Sequence, residues 1–149
     1  MSIPELLKVH FFADLTQSEI EKIVPLCRLV EGKAGDALIE EKDQVRTVYF
    51  LLSGAVDVIK KPARGKRMVI GSATKGAAFG EMSLVDEGLA AATVEAKEAF
   101  QALAIDQVGL RQLMDQNPEL GYKIMKTIAR LVSGRLRRVF KLTIEHVPI

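Results

Sequence analysis

A mainly β fold is predicted for this chain: an antiparallel β-roll of jelly-roll type, flanked by N-terminal helices and a long C-terminal helix. Three observations lead there. Between Leu26 and Ile105, short β-rich runs recur about every 8 to 12 residues and are separated by Gly, Asp, Lys and Pro, the pattern of a sandwich, barrel or jelly roll. Helical spacing is confined to the two ends. A length of 149 residues suits one domain with a sizeable core.

The elements follow in order. Pro4 to Val9 can form one or two helical turns, and Thr16-Gln17-Ser18-Glu19 has the spacing of a capping box, with Thr16 capping and Glu19 reaching back. Ile20, Ile23 and Val24 then share a helical face, and Pro25 ends it, closing an N-terminal helical segment at 1–25. Within the β-roll, 26–105, strands are expected at 27–31, 37–41, 46–52, 55–60, 67–73, 91–97 and 99–105. Ser53-Gly54 punctuates two of them, and Lys61 to Lys66 reads as a hairpin tip. Asp106 is a plausible N-cap for a helix to about Gln116; Asn117 breaks it and Pro118 starts the next, reaching Leu142 within a helical segment 106–145. Met125, Ile128, Val132, Val139 and Leu142 form an a/d-like seam interrupted by Arg135, which suggests helix pairing between two subunits. One apolar stripe packed on its own β-roll is the alternative.

Composition narrows the class. Hydrophobic residues make up 48% and charged residues 27%, values of an ordinary soluble globular protein. No apolar run reaches the roughly 18 residues of a membrane span, and Met1 to Glu5 lacks a signal-peptide pattern. Cys27 is the single cysteine, so no intramolecular disulfide can form, and a reducing, cytoplasmic setting is expected. The net charge of +2 is uneven. Lys123 to Lys141 holds seven basic residues and no acidic one, and the rest, with 14 basic and 19 acidic residues, carries −5. Such asymmetry fits a partner for the tail or a solvated helix face.

The segment 79–94, Phe-Gly-Glu-Met-Ser-Leu-Val-Asp-Glu-Gly-Leu-Ala-Ala-Ala-Thr-Val, reads as loop, short helix, loop and strand. Gly76 and Gly80 let the backbone turn and approach a ligand. If a helix starts near Glu81, the amides of Met82 and Ser83 point outward at its positive end and can meet an anion, while Glu81 can accept hydrogen bonds from sugar hydroxyls. On these residues alone, a Gly-rich connection with an acidic residue helping a helix dipole is the better reading.

The stretch as a whole closely resembles the phosphate-binding cassette of cyclic-nucleotide-binding domains, found in catabolite-activator-type regulators, kinase regulatory subunits and nucleotide-gated channels. Phe79-Gly80-Glu81-Met82-Ser83-Leu84 resembles the cassette's first half and Ala91-Ala92-Thr93-Val94 its end. Phe11 to Thr16, Gly35-Asp36, Tyr49 to Gly54 and Asn117 to Leu120 resemble other parts of the family, so the likeness covers nearly the whole chain. The resemblance implies a ligand site at Phe79, Gly80, Glu81, Met82, Ser83, Ala90, Ala91 and Thr93: Glu81 for ribose hydroxyls, the Met82 and Ser83 amides for phosphate, Ala91 and Thr93 for the pocket wall.

Two departures stand out. The family's arginine, which faces the cyclic phosphate, falls at Ala90, and Leu89 and Ala91 are not basic either. A charge-assisted hydrogen bond of that kind contributes roughly 1.5–3 kcal/mol, so its loss weakens binding by about one to two orders of magnitude. Three readings remain open: weak binding, or recruitment of Lys75 or a basic residue of the terminal helix; a less anionic ligand; or an empty scaffold kept for protein contacts. The second departure is Lys42-Asp43 where the family has glycine before aspartate, so that turn is expected to differ locally.

Catalysis is not expected. His10 and His146 lie near opposite ends, beside no nucleophile pattern, and clustered His ligands for a metal are missing. Cys27 reads as a structural thiol. Gly71 to Gly76 lacks a phosphate-loop order, and Glu40-Glu41 and Asp86-Glu87 read as solvated acids. Arg135, Arg137, Arg138 and Lys141 can touch phosphates, but the chain stops at Ile149, where related regulators continue into a helix-turn-helix, so direct DNA binding is not the expectation. The sequence therefore predicts a stand-alone signal-transduction module over 1–149 with a cyclic nucleotide (cAMP or cGMP) as ligand, a homodimer through its terminal helices, and an unidentified effector protein. The alternatives are a degenerate assembly domain and a fragment of a longer protein.

Overall fold

The computed structural model describes residues 2–10 and 12–143. Met1, Phe11, the side chains of Val9, His10, Leu142 and Thr143, and the segment 144–149 with His146 lie outside the described residues. Among the described residues four α-helices, α1 (Ile3–His10), α2 (Gln17–Ile23), α3 (Gln107–Gln116) and α4 (Pro118–Thr143), bracket eight strands. These are β1 (Cys27–Gly32), β2 (Ala37–Ile39), β3 (Thr47–Ser53), β4 (Val56–Lys60), β5 (Met68–Ala73), β6 (Ala78–Phe79), β7 (Thr93–Ala96) and β8 (Phe100–Asp106). The strands form two four-stranded antiparallel sheets, ordered β1-β8-β3-β6 and β2-β7-β4-β5. That is the jelly-roll predicted from the spacing of the short strands.

Local chemistry fixes the helix ends. The Glu19 amide donates to Thr16 Oγ1 at 3.2 Å, and the Thr16 amide donates to Glu19 Oε1 at 2.8 Å, a complete capping box. Pro25 sits in a 3-10 turn, Val24–Leu26, that ends α2. Asp106 caps α3 by accepting from the Gly109 amide at 2.9 Å.

Period-two alternation along β3 and β8 divides the interior. Val48, Phe50, Leu103 and Ile105 face a core shared with Leu7, Phe12, Ile20, Ile23, Leu110, Leu120, Ile124 and Ile128 of the helical ends. Leu51 and Ala102 turn the other way, between the sheets, with Val56, Val94, Ala96 and Phe100. Phe12 and Phe50 meet edge-on, with ring centroids 5.8 Å apart. The apolar stripe of α4 thus begins as an intramolecular contact: Ile128 is buried and Met125 packs beside it. Further along, Val132, Leu136 and Val139 are 37%, 52% and 55% exposed.

One expectation needs correction: Phe79, at the start of the segment that the sequence predicts to open as a loop, lies in a two-residue strand with Ala78, which exists because Phe79 and Ala78 pair with Tyr49 and Phe50 across the sheet. At the Lys42 turn, Lys42 adopts φ 73°, a left-handed conformation that glycine takes more easily, and the Asp43 amide closes the turn onto Glu40 O at 3.1 Å.

Candidate functional site around Glu81

The 79–94 segment leaves the first sheet through β6 and re-enters the second through β7. Between them Gly80 has φ 83°, and a Cβ there would lie 2.4 Å from the Thr47 carbonyl oxygen, so only glycine fits this crossing. A 3-10 turn, Glu81–Leu84, follows directly. Its Ser83 amide, expected to face outward unpaired, donates to Gly80 O at 3.2 Å, and Ser83 Oγ donates to the same oxygen at 2.5 Å. Gln107 of α3 anchors the turn from below, its Nε2 donating to Ser83 O at 2.7 Å.

Glu81 is the centre of the site. Its side chain is buried, and it is held there by Arg135 of α4, whose Nη1 donates to Glu81 Oε1. Arg135 Nη2 also donates to Ala78 O at 2.8 Å, so one guanidinium spans both sides of Gly80. Among the described residues Arg135 is the only partner of the Glu81 carboxylate. A carboxylate has about four lone-pair positions, so this arrangement leaves acceptor capacity for hydroxyl donors.

At the far end, Ala90 is buried, and its backbone is zipped to the Lys42 turn. The Lys42 amide donates to Ala90 O and the Ala90 amide to Asp43 O, each at 2.8 Å. Ala91 is exposed, and its carbonyl accepts from Lys60 Nζ at 2.7 Å. Lys60 in turn lies 3.1 Å from Glu41 Oε2. Thr93 is half-buried and uses its hydroxyl oxygen to accept from the Glu41 amide at 3.0 Å, while Val94 carries the buried side of the strand. The Lys61 amide first, and then the Lys60 ammonium, hold the Glu41 carboxyl below the usual carboxylate range. Phe79 packs against the inter-sheet core. Met82, Val85 and Leu89 present 52%, 62% and 62% of their surface to solvent, so the outer side of the segment shows apolar side chains beside the exposed acids Asp86 and Glu87.

The structure therefore brings Phe79, Gly80, Glu81 and Ser83 together around one crossing, and puts Ala90, Ala91 and Thr93 on the strand entry beside the Lys42 turn. Lys75, considered above as a source of charge, has no recorded ion pair among the described residues, and Arg135 is the basic residue that reaches the site. Sequence reasoning left Arg135 as one candidate within a basic helix, and overlooked Gln107 and Lys60. The signal for Arg135 was its interruption of the apolar seam: seven residues beyond the buried Ile128, it lies on the same helical face, turned toward the roll.

Comparison with known proteins bears on the fold and the family. Residues 29–117 match the family described as "Cyclic nucleotide-binding domain". The chain is 29% identical over 129 residues to the "cAMP-activated global transcriptional regulator CRP" of Pasteurella multocida, covering 86% of this chain and 62% of that protein. It is 32% identical over 122 residues to the protein of the same name from Haemophilus influenzae, covering 81% and 54%. The chain thus spans less than two thirds of the length of these relatives. Among solved structures, it is similar to a putative cyclic nucleotide-binding protein from Geobacter metallireducens GS-15, with a TM-score of 0.81, 26% identity, and 91% and 99% of the two chains covered. By the extent of the family match, the chain belongs to the cyclic nucleotide-binding domain family.

Proposed function

We propose that this protein is a regulatory ligand-binding module that senses a cyclic nucleotide, cAMP or cGMP, at the 79–94 segment and passes the signal on through α4. The buried Glu81 carboxylate, held on the family's glycine crossing and facing α4, is the observation that carries this reading. In it, Glu81 accepts from ribose hydroxyls, Phe79 and Gly80 shape the crossing, the Met82 amide faces the phosphate while Ser83, bonded back to Gly80 O, braces the turn, and Ala90, Ala91 and Thr93 form the wall. The named activity of the CRP relatives, cAMP-activated regulation, supports the ligand class.

The segment 79–94 contains no lysine or arginine, so affinity is expected to be weaker than in domains that carry an arginine there. We place the protein in the cytoplasm; no helix among the described residues is long and apolar enough to cross a membrane. Pairing of two copies through the exposed Val132, Leu136 and Val139 of α4 would let the ligand reposition both helices and so act on an effector protein. The same exposed stripe supports a second reading, a domain that binds no nucleotide and serves in protein assembly. It also leaves direct DNA contact in third place.

Calorimetric titration with cAMP and cGMP, alongside the Ala90→Arg variant, tests the proposal. Binding by the native protein sustains it, and binding by the variant alone means an intact pocket that has lost or exchanged its ligand. Silence from both at about millimolar ligand, a binding free energy weaker than roughly −4 kcal/mol, hands the function to assembly.

A further inference from the structure

We infer that Arg135, reaching in from α4, is the countercharge for the ligand's phosphate in this site; the inference rests on the cyclic-nucleotide reading above. An anion bound at the 79–94 segment finds no basic side chain within it, and finds two acids, Asp86 and Glu87. Among the described residues, each of the three cations that reach the segment from outside has a different situation. Arg111 is engaged by Glu87, 2.7 Å away at a carboxylate 76% exposed, on the outer side. Lys60 is held between Glu41 and the Ala91 carbonyl. Arg135 alone of the three bonds to a buried group of the site.

Its geometry suits the role. A guanidinium carries five N–H donors in a planar fork and stays charged at every accessible pH. Nη1 is committed to Glu81 and Nη2 to Ala78 O, and the Arg135 side chain remains 39% exposed. The Nε–H and the second proton on each terminal nitrogen are left for an incoming anion. Glu81 behind the fork fixes its orientation, and the ligand's hydroxyls can share the same carboxylate. Because the charge stands on α4 and not on the roll, the pull between phosphate and guanidinium acts on the helix. Ligand binding and helix position are then coupled through one side chain, with no need for a basic residue at Ala90.

The test is titration of cAMP and of adenosine, which lacks the phosphate, into the native protein, Arg135→Ala, Arg135→Lys and Ala90→Arg, each checked for a cooperative melt. The expected result is that Arg135→Ala weakens cAMP binding about ten- to a hundredfold and adenosine binding by much less, and that Arg135→Lys recovers part of the loss. Added salt should weaken cAMP binding more in the native protein than in Arg135→Ala. Unchanged or tighter cAMP binding by Arg135→Ala, or an equal loss for both ligands, overturns the inference. If the native protein binds no cAMP but Ala90→Arg does, the pocket is intact but has lost or exchanged its ligand, and the role of Arg135 falls. If neither binds, both fall.

Discussion

Glu81 and Arg135, 54 residues apart in sequence, form the ion pair that fastens α4 to the Gly80 crossing. The carboxylate is buried while the arginine is partly exposed, so the two ends of the pair are unequal: losing the cation strands a charge in the interior, whereas losing both leaves none. Urea denaturation of the single and double variants should show this. Arg135→Ala is expected to lose about 1–3 kcal/mol, and Glu81→Gln combined with Arg135→Ala to be more stable than Arg135→Ala alone. Additive losses would mean that the pair contributes nothing to closure.

Two left-handed positions, Lys42 and Gly80, predict opposite outcomes. Lys42 at φ 73° is a lysine in a glycine conformation, at a cost of roughly 1–2 kcal/mol. Lys42→Gly relieves that strain but adds freedom to the unfolded chain, so a net gain of up to about 1 kcal/mol is expected, read as a rise in melting temperature. Gly80→Ala adds a Cβ 2.4 Å from a backbone oxygen at φ 83°, and should cost more than about 2 kcal/mol and move the 3-10 turn that carries Glu81. A neutral Gly80→Ala would mean that the crossing is pliable, and that Glu81 is positioned by Arg135 alone.

These positions also mark where the sequence was readable. The seven strands longer than two residues lie in β-rich runs bounded by turn residues, and the capping box at Thr16 is a purely local device; both could be located by eye. The strand at Ala78–Phe79 could not, because its two residues become strand only by pairing with Tyr49 and Phe50. Lys42 could not either, since the pairing of its amide with Ala90 O, 48 positions away, sustains a turn that lysine alone disfavours. At the site, Glu81 was legible through its neighbours in the 79–94 segment. Ser83 was legible in place but not in bonding, because its amide turns back to Gly80 O. Arg135 showed only as a break in an apolar pattern, since nothing in sequence tells which part of the roll a helix 40 residues on will cover.

Cys27 offers a check on the packing beneath the site. Burial pushes its thiol up to about 12, and Sγ donates to Ile23 O at 3.4 Å. The reactive thiolate is therefore about four orders of magnitude scarcer than thiol near pH 8. A disulfide reagent should label the folded protein far more slowly than the urea-unfolded one. Equal rates would mean that β1 opens readily at its first residue.

The pair Glu19 and Lys123 ties α2 to α4, with Lys123 Nζ 2.7 Å from Glu19 Oε1, and it makes stability depend on pH at both extremes. Partial burial works to raise the Glu19 carboxyl, but the Lys123 ammonium and the Thr16 amide and hydroxyl outweigh it and hold the group below its ordinary 4.5. The hydrogen bond to Glu19 leads the influences that move Lys123 above its ordinary 10.5, against the opposing effect of burial. A carboxyl lowered on folding stabilises above its unfolded value and loses that contribution as pH falls through the lower, folded one. A raised amine stabilises below its unfolded value and loses its contribution as pH rises through the folded one. The pair is thus fully effective between 4.5 and 10.5, and is lost toward acid below the first and toward base above the second. Glu19→Gln keeps an oxygen for the Thr16 amide but removes the charge. Its melting temperature should lie below that of the native protein at neutral pH, and the gap should close as the pH falls from 4.5 toward about 2. A gap that stays constant over that range would show that the helices are held by packing and capping alone, with no contribution from the ionised pair.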